Sequence, residues 1–387
     1  MNITQLLSFS SAVKSIGGVL LAIVILLVMV TIHEFGHYIA GKALGFKINE
    51  FAVGFGPAIF KKRSKKTGEL FALRVIPLGG YCAFDGEDDY GETPETENET
   101  KTEPFLEEKE EYPEPKGARF NDQPPWKRII VLIAGATMNY LLALLLIVCM
   151  FGFIGRPVYR VREEYPEPPT DFVVTDSGLN TGDVILKIDG ESMYVITDYI
   201  GALSGKKAGD KVAVTMLREN KLQTVSITLQ KDAKFVNSSD TMTILETLGI
   251  YGLYSVQQKD GFFETIGHSF MYSFKLGGMI LQTLGELLTG KLGLNAMGGP
   301  VTTIKVTSQA ASSGVWSFLN IASLIGVNLA VFNLLPIPAL DGCKVVFCII
   351  EWIRKKPVNR KVETIIHFAG LIFIFAFAIL VDILQFV

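Results

Sequence analysis

Charge of either sign is in short supply as an excess: 36 Lys and Arg stand against 39 Asp and Glu, a net of −3. No cluster of basic and aromatic residues accompanies it, which excludes nucleic-acid binding as a function class. Cysteine is sparse. The four are Cys82, Cys149, Cys343 and Cys348, three of them in or beside apolar runs and none at a paired spacing. Neither a disulfide framework nor a cysteine zinc knuckle is encoded, so these thiols are expected to be reduced and structural. Histidine is equally scarce, with four in 387 residues, yet two of the four fall within the single stretch "HEFGH", His33 to His37.

What the chain has in abundance is apolar sequence. A hydrophobic fraction of 49% and a mean hydropathy of +0.35 fit a membrane protein with a polar extramembrane part. Three runs are long enough to span a bilayer: Gly17 to about Ala43, Ile129 to Ile154, and His367 to the C-terminus. A fourth, Val315 to Leu335, is interrupted by Asn320, Asn328 and Asn333 and ends at Pro336. The first run is too long for a cleavable signal peptide, and no small-residue cleavage site follows it. Phe262 to Leu288 is apolar but carries Glu264, His268, Lys275 and Glu286. It is expected to be an amphipathic helix on the membrane surface, with a further span as the alternative.

The "HEFGH" stretch lies at the end of the first span, where ionisable side chains are disfavoured by roughly 2.5–3.5 kcal/mol each and therefore usually have partners and a function. His33 and His37 are four residues apart, share one helix face and can chelate one ion. Glu34 stands beside them, placed to take a proton from water at that ion. Catalytic zinc uses three protein ligands and keeps a fourth position open. Asp341, in "PALDGC" after the third span, is the best-placed carboxylate to complete the set, because the first and third spans run in the same direction and end at similar depth. A capping or turn role in the same "PALDG" is the competing reading for Asp341. His268 and His367 stand alone and are expected not to be ligands.

"HEFGHYIAGKALGFKINEFAVGFGP", "AGATMNYLLAL", "MGGPVTTI" and "NLLPIPALDG" together resemble the site-2 protease family of intramembrane zinc metalloproteases, in its bacterial regulated-intramembrane-proteolysis group with a PDZ domain. The resemblance covers nearly the whole chain in the family's order. It implies bound Zn2+ held by His33, His37 and Asp341, with Glu34 as general base. It also implies hydrolysis of a peptide bond in or near a substrate's transmembrane helix, after trimming by an upstream site-1-type protease. The implied partners are transmembrane protein substrates and the lipid bilayer. Asn139, closing a GxxxN motif from Gly135, and Asn333 match family positions near the substrate; for Asn139, interhelical packing remains open as an alternative. Gly54, Phe55 and Gly56 belong to a β region expected to re-enter the membrane and to receive substrate as an added strand. Two departures stand out: Ala136 where the family usually has proline, and Cys343 where it usually has glycine, which sets a thiol that could compete for the metal beside Asp341.

The expected fold is a polytopic α-helical membrane protein of about four transmembrane helices, with a membrane-associated β-hairpin or sheet and one extracytoplasmic PDZ-like domain. By residue number it runs 1–43 (tail and first span with the metal motif), 44–83 (re-entrant β region), 84–118 (acidic linker), 119–154 (second span), 155–235 (PDZ-like domain), 236–314 (surface helix and connection), 315–343 (third span with the LDG motif), 344–366 (loop) and 367–387 (fourth span). The linker's composition cannot bury enough surface to fold alone. "DSGLNTGDVILKIDGESM" and the alternating "KVAVTMLRENKLQTVSITL" carry the turn and strand signals of the PDZ-like part. Two other classes are open: a catalytically inactive membrane scaffold with a PDZ domain, against which Glu34 argues, and a channel, against which the clustering of polar residues near one membrane face argues.

Orientation in the cell membrane follows the flanking Lys and Arg. Lys61 to Lys66 ("KKRSKK"), Lys127 and Arg128, and Arg354, Lys355, Lys356, Arg360 and Lys361 flank the spans on one side, whereas Lys14 alone precedes the first. Both termini are therefore expected outside and the metal site toward the cytoplasm. A reporter that is active only outside the cytoplasm should be active when fused to the C-terminus and silent when inserted after Lys356; the reverse pattern overturns the orientation.

Overall fold

The computed structural model describes residues 3–87, 112–162, 178–237 and 240–385. Most of the acidic stretch expected between 84 and 118, and part of the PDZ-like segment (163–177), lie outside the described residues. The chain divides into two compact units, Met1–Ala143 with Gly298–Val387, and Leu144–Met297.

The first unit opens with α1 (Ile3–Leu44), so the N-terminal tail expected before the span is helical from Ile3 onward. It continues through β1 (Ile48–Arg63), β2 (Leu70–Phe84) and α2 (Pro125–Phe153), whose end enters the second unit. The hairpin of β1 and β2 curls on itself. Glu50 to Val53 are matched to Ala83 to Gly80 on one side and to Leu70 to Leu73 on the other, while among the described residues 80–84 have a strand partner on one side only. The bends fall where glycine permits left-handed backbone: Gly54 at φ +86°, Gly56 at +82° and Gly79 at +111°. Phe46, Ile48, Cys82, Phe84 and Phe120 bury the base of the hairpin against Val131 and Leu132 of α2.

The second unit adds β3 (Arg156–Val161), β4 (Val184–Ile188), β5 (Glu191–Ser192), α3 (Ile196–Leu203), β6 (Lys211–Arg218), β7 (Lys221–Thr228), α4 (Thr241–Leu248), β8 (Leu253–Gln258) and α5 (Phe262–Leu288). The sheet order is β7-β6-β4-β3-β8, with β5 paired to β4. β8 pairs with β3 from Arg156↔Gln258 to Val161↔Leu253, so the sheet extends beyond residue 235. A six-residue strand of mixed polarity is hard to see in sequence before its partner is known. Ile185, Ile188, Tyr199, Leu203, Val214, Met216, Ile244 and Leu248 form the core. α5 is inverted relative to a soluble amphipathic helix. Thr265, Ser269, Tyr272 and Ser273 are buried, while Phe262, Phe263, Ile266, Phe270, Phe274 and Leu281 are exposed. The Ser269 and Ser273 hydroxyls bond to carbonyls of their own helix, which satisfies them without water.

The chain then returns to the first unit through α6 (Pro300–Ser313), α7 (Val315–Leu334), α8 (Asp341–Arg354) and α9 (Arg360–Leu384). α6 occupies a stretch expected only as a connection, and α8 takes up the first half of the expected 344–366 loop, to Arg354, with α9 beginning at Arg360. α6 packs closely on α1, where a Cβ on Gly18 would lie 2.5 Å from Ser308 Oγ. Its first turn is fixed by Asp382 of α9, whose carboxylate accepts from the backbone N–H groups of Val301 and Thr302 at 2.9 and 3.0 Å. Gly299 of "MGGP" is required there, since its Cβ would stand 2.5 Å from the Asp382 carboxyl carbon. α8 buries Glu351 in an ion pair with Arg128 of α2; a buried pair of this kind costs about 3–5 kcal/mol to break by removing one partner. Among the described residues, four helices, Ile16–Leu44, Pro125–Phe153, Val315–Leu334 and Arg360–Leu384, are long and apolar enough to cross a membrane.

Candidate metal centre

α1 and α2 cross so tightly that a Cβ on Gly36 would lie 2.4 Å from the Ala134 carbonyl oxygen. Their cytoplasm-expected ends are tied together by Gln123 Nε2 donating to Gly45 O (3.0 Å) and Lys127 Nζ donating to Leu44 O (3.1 Å). Into this crossing α1 places His33 and His37, 8% and 7% exposed. Gly135 of α2 makes the room, because a Cβ there would fall 2.5 Å from His37 Nε2 and 2.8 Å from His33 Cε1.

Asp341 arrives from the other end of the chain. α7 ends at Leu334, and the segment with Pro336 and Pro338 cannot continue it. The turn holds Ala339 at φ +76°, and its N–H donates to His367 Nδ1 at 3.1 Å. α9 presses on the same turn through Gly370, whose Cβ would meet Pro338 Cβ at 2.2 Å. Asp341 then opens α8. Gly342 has no room for a side chain, with Leu335 O only 2.3 Å from its Cβ position. The "LDG" glycine is therefore a packing requirement between the last turn of α7 and the first of α8.

These two deliveries meet. His33 Nε2 is 3.0 Å from Asp341 Oδ2, His37 Nε2 is 3.4 Å from the same oxygen, and the two Nε2 atoms are 3.1 Å apart. Ligands about 2.0–2.1 Å from a tetrahedral zinc lie roughly 3.3–3.4 Å from one another. The triangle, though slightly contracted, fits that ion, and two imidazoles with one carboxylate are a zinc donor set. His33, His37 and Asp341 are the one such cluster among the described residues. Cys343 is buried on α8 and lies outside the cluster.

Glu34 is half-buried beside the pair, and its Cγ lies 3.4 Å from where a Gly80 Cβ would stand. The 80–84 segment thus runs past the carboxylate. Phe55, held between Gly54 and Gly56, stacks on Tyr81 of that segment at 6.4 Å. Asn333 is half-buried on the last turn of α7. Asn139 is 1% exposed, with Nδ2 3.3 Å from His33 Nδ1. His367 supports the "LDG" turn, and His268 contacts the Tyr194 hydroxyl at 2.6 Å within the second unit. Sequence reasoning missed the Val131 carbonyl, which accepts from His37 Nδ1 at 2.8 Å. No side-chain pattern marks a backbone acceptor. The clearances at Gly36 and Gly370 were missed also, although glycine inside an apolar helix is itself a signal of close approach.

Residues 21–377 match peptidase family M50. The chain is 28% identical to the zinc metalloprotease RasP of Bacillus licheniformis, over 89% of this chain and 93% of that protein. It is also 28% identical to the regulator of sigma-W protease RasP of Bacillus subtilis, over 93% of this chain and 96% of that protein. Among solved structures, the PDZ domain of an SdrC-like protein from Listeria innocua covers 26% of this chain and 97% of its own at 24% identity, with a TM-score of 0.15, too low to bear on the fold.

Gly135→Ala should cost the metal site more than it costs the fold. The methyl group must displace the imidazoles, so zinc retained after dialysis should fall at least tenfold, in the range typical of disturbed outer-shell positions, while far-ultraviolet circular dichroism stays unchanged. Zinc content equal to wild type shows that the rings tolerate the methyl and that the crossing is looser than described.

Proposed function

Because this chain belongs to peptidase family M50 and is a multi-pass zinc metalloendopeptidase of the site-2 protease type, we propose that it cleaves a peptide bond in or near the transmembrane segment of membrane proteins already trimmed by a site-1-type protease. Substrates of this class include anti-sigma factors and signal-peptide remnants, and similarity to a protein named a regulator of sigma-W protease supports the former. The observation that carries the reading is the meeting of His33, His37 and Asp341 at the end of an apolar helix, with Glu34 beside them.

In this reading His33, His37 and Asp341 hold the metal. Zinc supplies Lewis-acid polarisation of a carbonyl and a lowered pKa for water. Glu34 takes the water proton and passes it to the leaving amide nitrogen. The scissile segment must be extended, because a helix hides its backbone groups in its own hydrogen bonds. We assign its docking to the one-sided edge 80–84 beside Glu34, with Phe55 at the corner held by Gly54 and Gly56 and with Asn333 near the substrate's path. Glu50 to Val53, paired on both sides, are internal and offer no edge. Residues 155–235 are the extracytoplasmic PDZ-like domain, and the outward apolar face of α5 lies against lipid.

Glu34→Gln preserves the shape of the side chain and removes its basicity. Cleavage of a membrane-spanning substrate in detergent should fall by about 10²–10⁴-fold, with zinc content unchanged; wild-type turnover would end the general-base assignment. Strand docking is tested with Tyr81→Pro and Cys82→Pro. Successive backbone N–H groups face opposite sides of a strand, so one of the two prolines removes a donor to the substrate and should raise KM with zinc retained. If both variants cleave normally, the edge does not receive substrate.

A further inference from the structure

Val131, Gly135 and Asn139 follow one another at i, i+4 and i+8 along α2 and so form one ridge, facing the α1 histidines. Gly135 clears space for both rings, as described above. The other two members each face the far nitrogen of one imidazole: the Val131 carbonyl meets His37 Nδ1, and the Asn139 side chain meets His33 Nδ1.

The two contacts differ in chemistry. A carbonyl oxygen can only accept, so His37 Nδ1 carries the ring proton and Nε2 keeps its lone pair for the metal. His33 has an amide opposite it, and an amide offers an acceptor at one end and donors at the other. With Nδ2 toward His33 Nδ1, at 3.3 Å, Oδ1 of Asn139 is left buried without a hydrogen-bond partner. In that orientation the amide donates, the ring proton sits on Nε2, and the nitrogen nearest Asp341 cannot ligate. Turning the amide by half a revolution exchanges two atoms of equal shape. It keeps one contact to His33 and converts it into acceptance by Oδ1.

We propose that Asn139 is a positioning residue of the metal centre: its Oδ1 accepts a hydrogen bond from His33 Nδ1 and selects the tautomer whose Nε2 binds zinc. The inference rests on the reading of His33 as a ligand. It gives the GxxxN spacing a physical meaning, since Gly135 admits the rings and Asn139, one turn further on, orients one of them. It also accounts for the burial of Asn139 at 1% exposed, which encloses the amide behind the ring instead of presenting it to a substrate.

The test uses the full-length protein in detergent micelles and measures zinc affinity by competition with a chromophoric chelator, which requires no substrate. Asn139→Leu matches the volume but has no acceptor, and it should weaken zinc binding by about 10–100-fold, as outer-shell partners of ligating histidines do. Asn139→Asp accepts but cannot donate, and it should retain wild-type affinity. In the zinc-loaded wild type, ¹⁵N spectroscopy of labelled histidine should find the His33 proton on Nδ1. Wild-type affinity in Asn139→Leu overturns the proposal, as does an equal loss in both variants, a His33 proton on Nε2, or a raised KM with unchanged zinc affinity in Asn139→Leu. If Asn139→Leu is not recovered folded, the aspartate variant and the histidine spectrum decide. His33→Ala separates the premise from the inference: full zinc affinity there removes His33 from the ligand set, whereas its loss beside an unaffected Asn139→Leu leaves the ligand set standing and removes only the role of Asn139.

Discussion

The close crossing of α1 and α2 is the constraint on which the site depends. Gly36 leaves room for the Ala134 carbonyl and Gly135 leaves room for both imidazoles. Without these gaps the two helices would stand apart by the width of a side chain, and neither the Val131 carbonyl nor the Asn139 amide would reach a histidine. Within hydrocarbon, association of helices is driven by such contact and not by hydrophobic burial. The polar cluster and the small-residue packing are therefore one device: the histidines are tolerated in a span because α2 satisfies their outward nitrogens.

The third member of the cluster, Asp341, requires the opposite treatment of a helix. α7 must stop inside the protein so that Asp341 can be presented, and a broken helix exposes backbone groups that lipid cannot satisfy. Here the break is enclosed. His367 accepts from the Ala339 N–H, Gly370 seats Pro338, and Gly342 lets α8 begin against the end of α7. Both prolines and the LDG glycine are explained by this geometry without reference to the chemistry they serve. Asp341 at the first turn of α8 also lies where helix N-terminal partial charge favours an anion.

Membership of peptidase family M50 gives these features a common purpose in peptide hydrolysis at a membrane-embedded zinc. The hairpin lies beside the same cluster. Its left-handed glycines curl β1 and β2 until Gly80 stands beside Glu34, which brings a strand edge to that side chain. In the proposed docking of substrate as an added strand, this edge supplies the extended partner beside Glu34.

Much was legible in the chain itself. The apolar runs marked the four long helices, because a span is a local property of some twenty residues. His33, Glu34 and His37 were legible for a similar reason, since helical periodicity alone puts both histidines on one face. That Asp341, 308 positions from His33, closes the cluster could be expected from matching depths and family resemblance, but only the packed helices bring the three atoms together. Other features were decided by tertiary structure alone: the pairing of β8 with β3, the helical character of α6 and α8, the one-sided edge of the hairpin, and the α2 group that faces the outward nitrogen of each histidine. Each depends on a partner distant in the chain or on a backbone atom common to every residue, and neither leaves a local mark in a sequence.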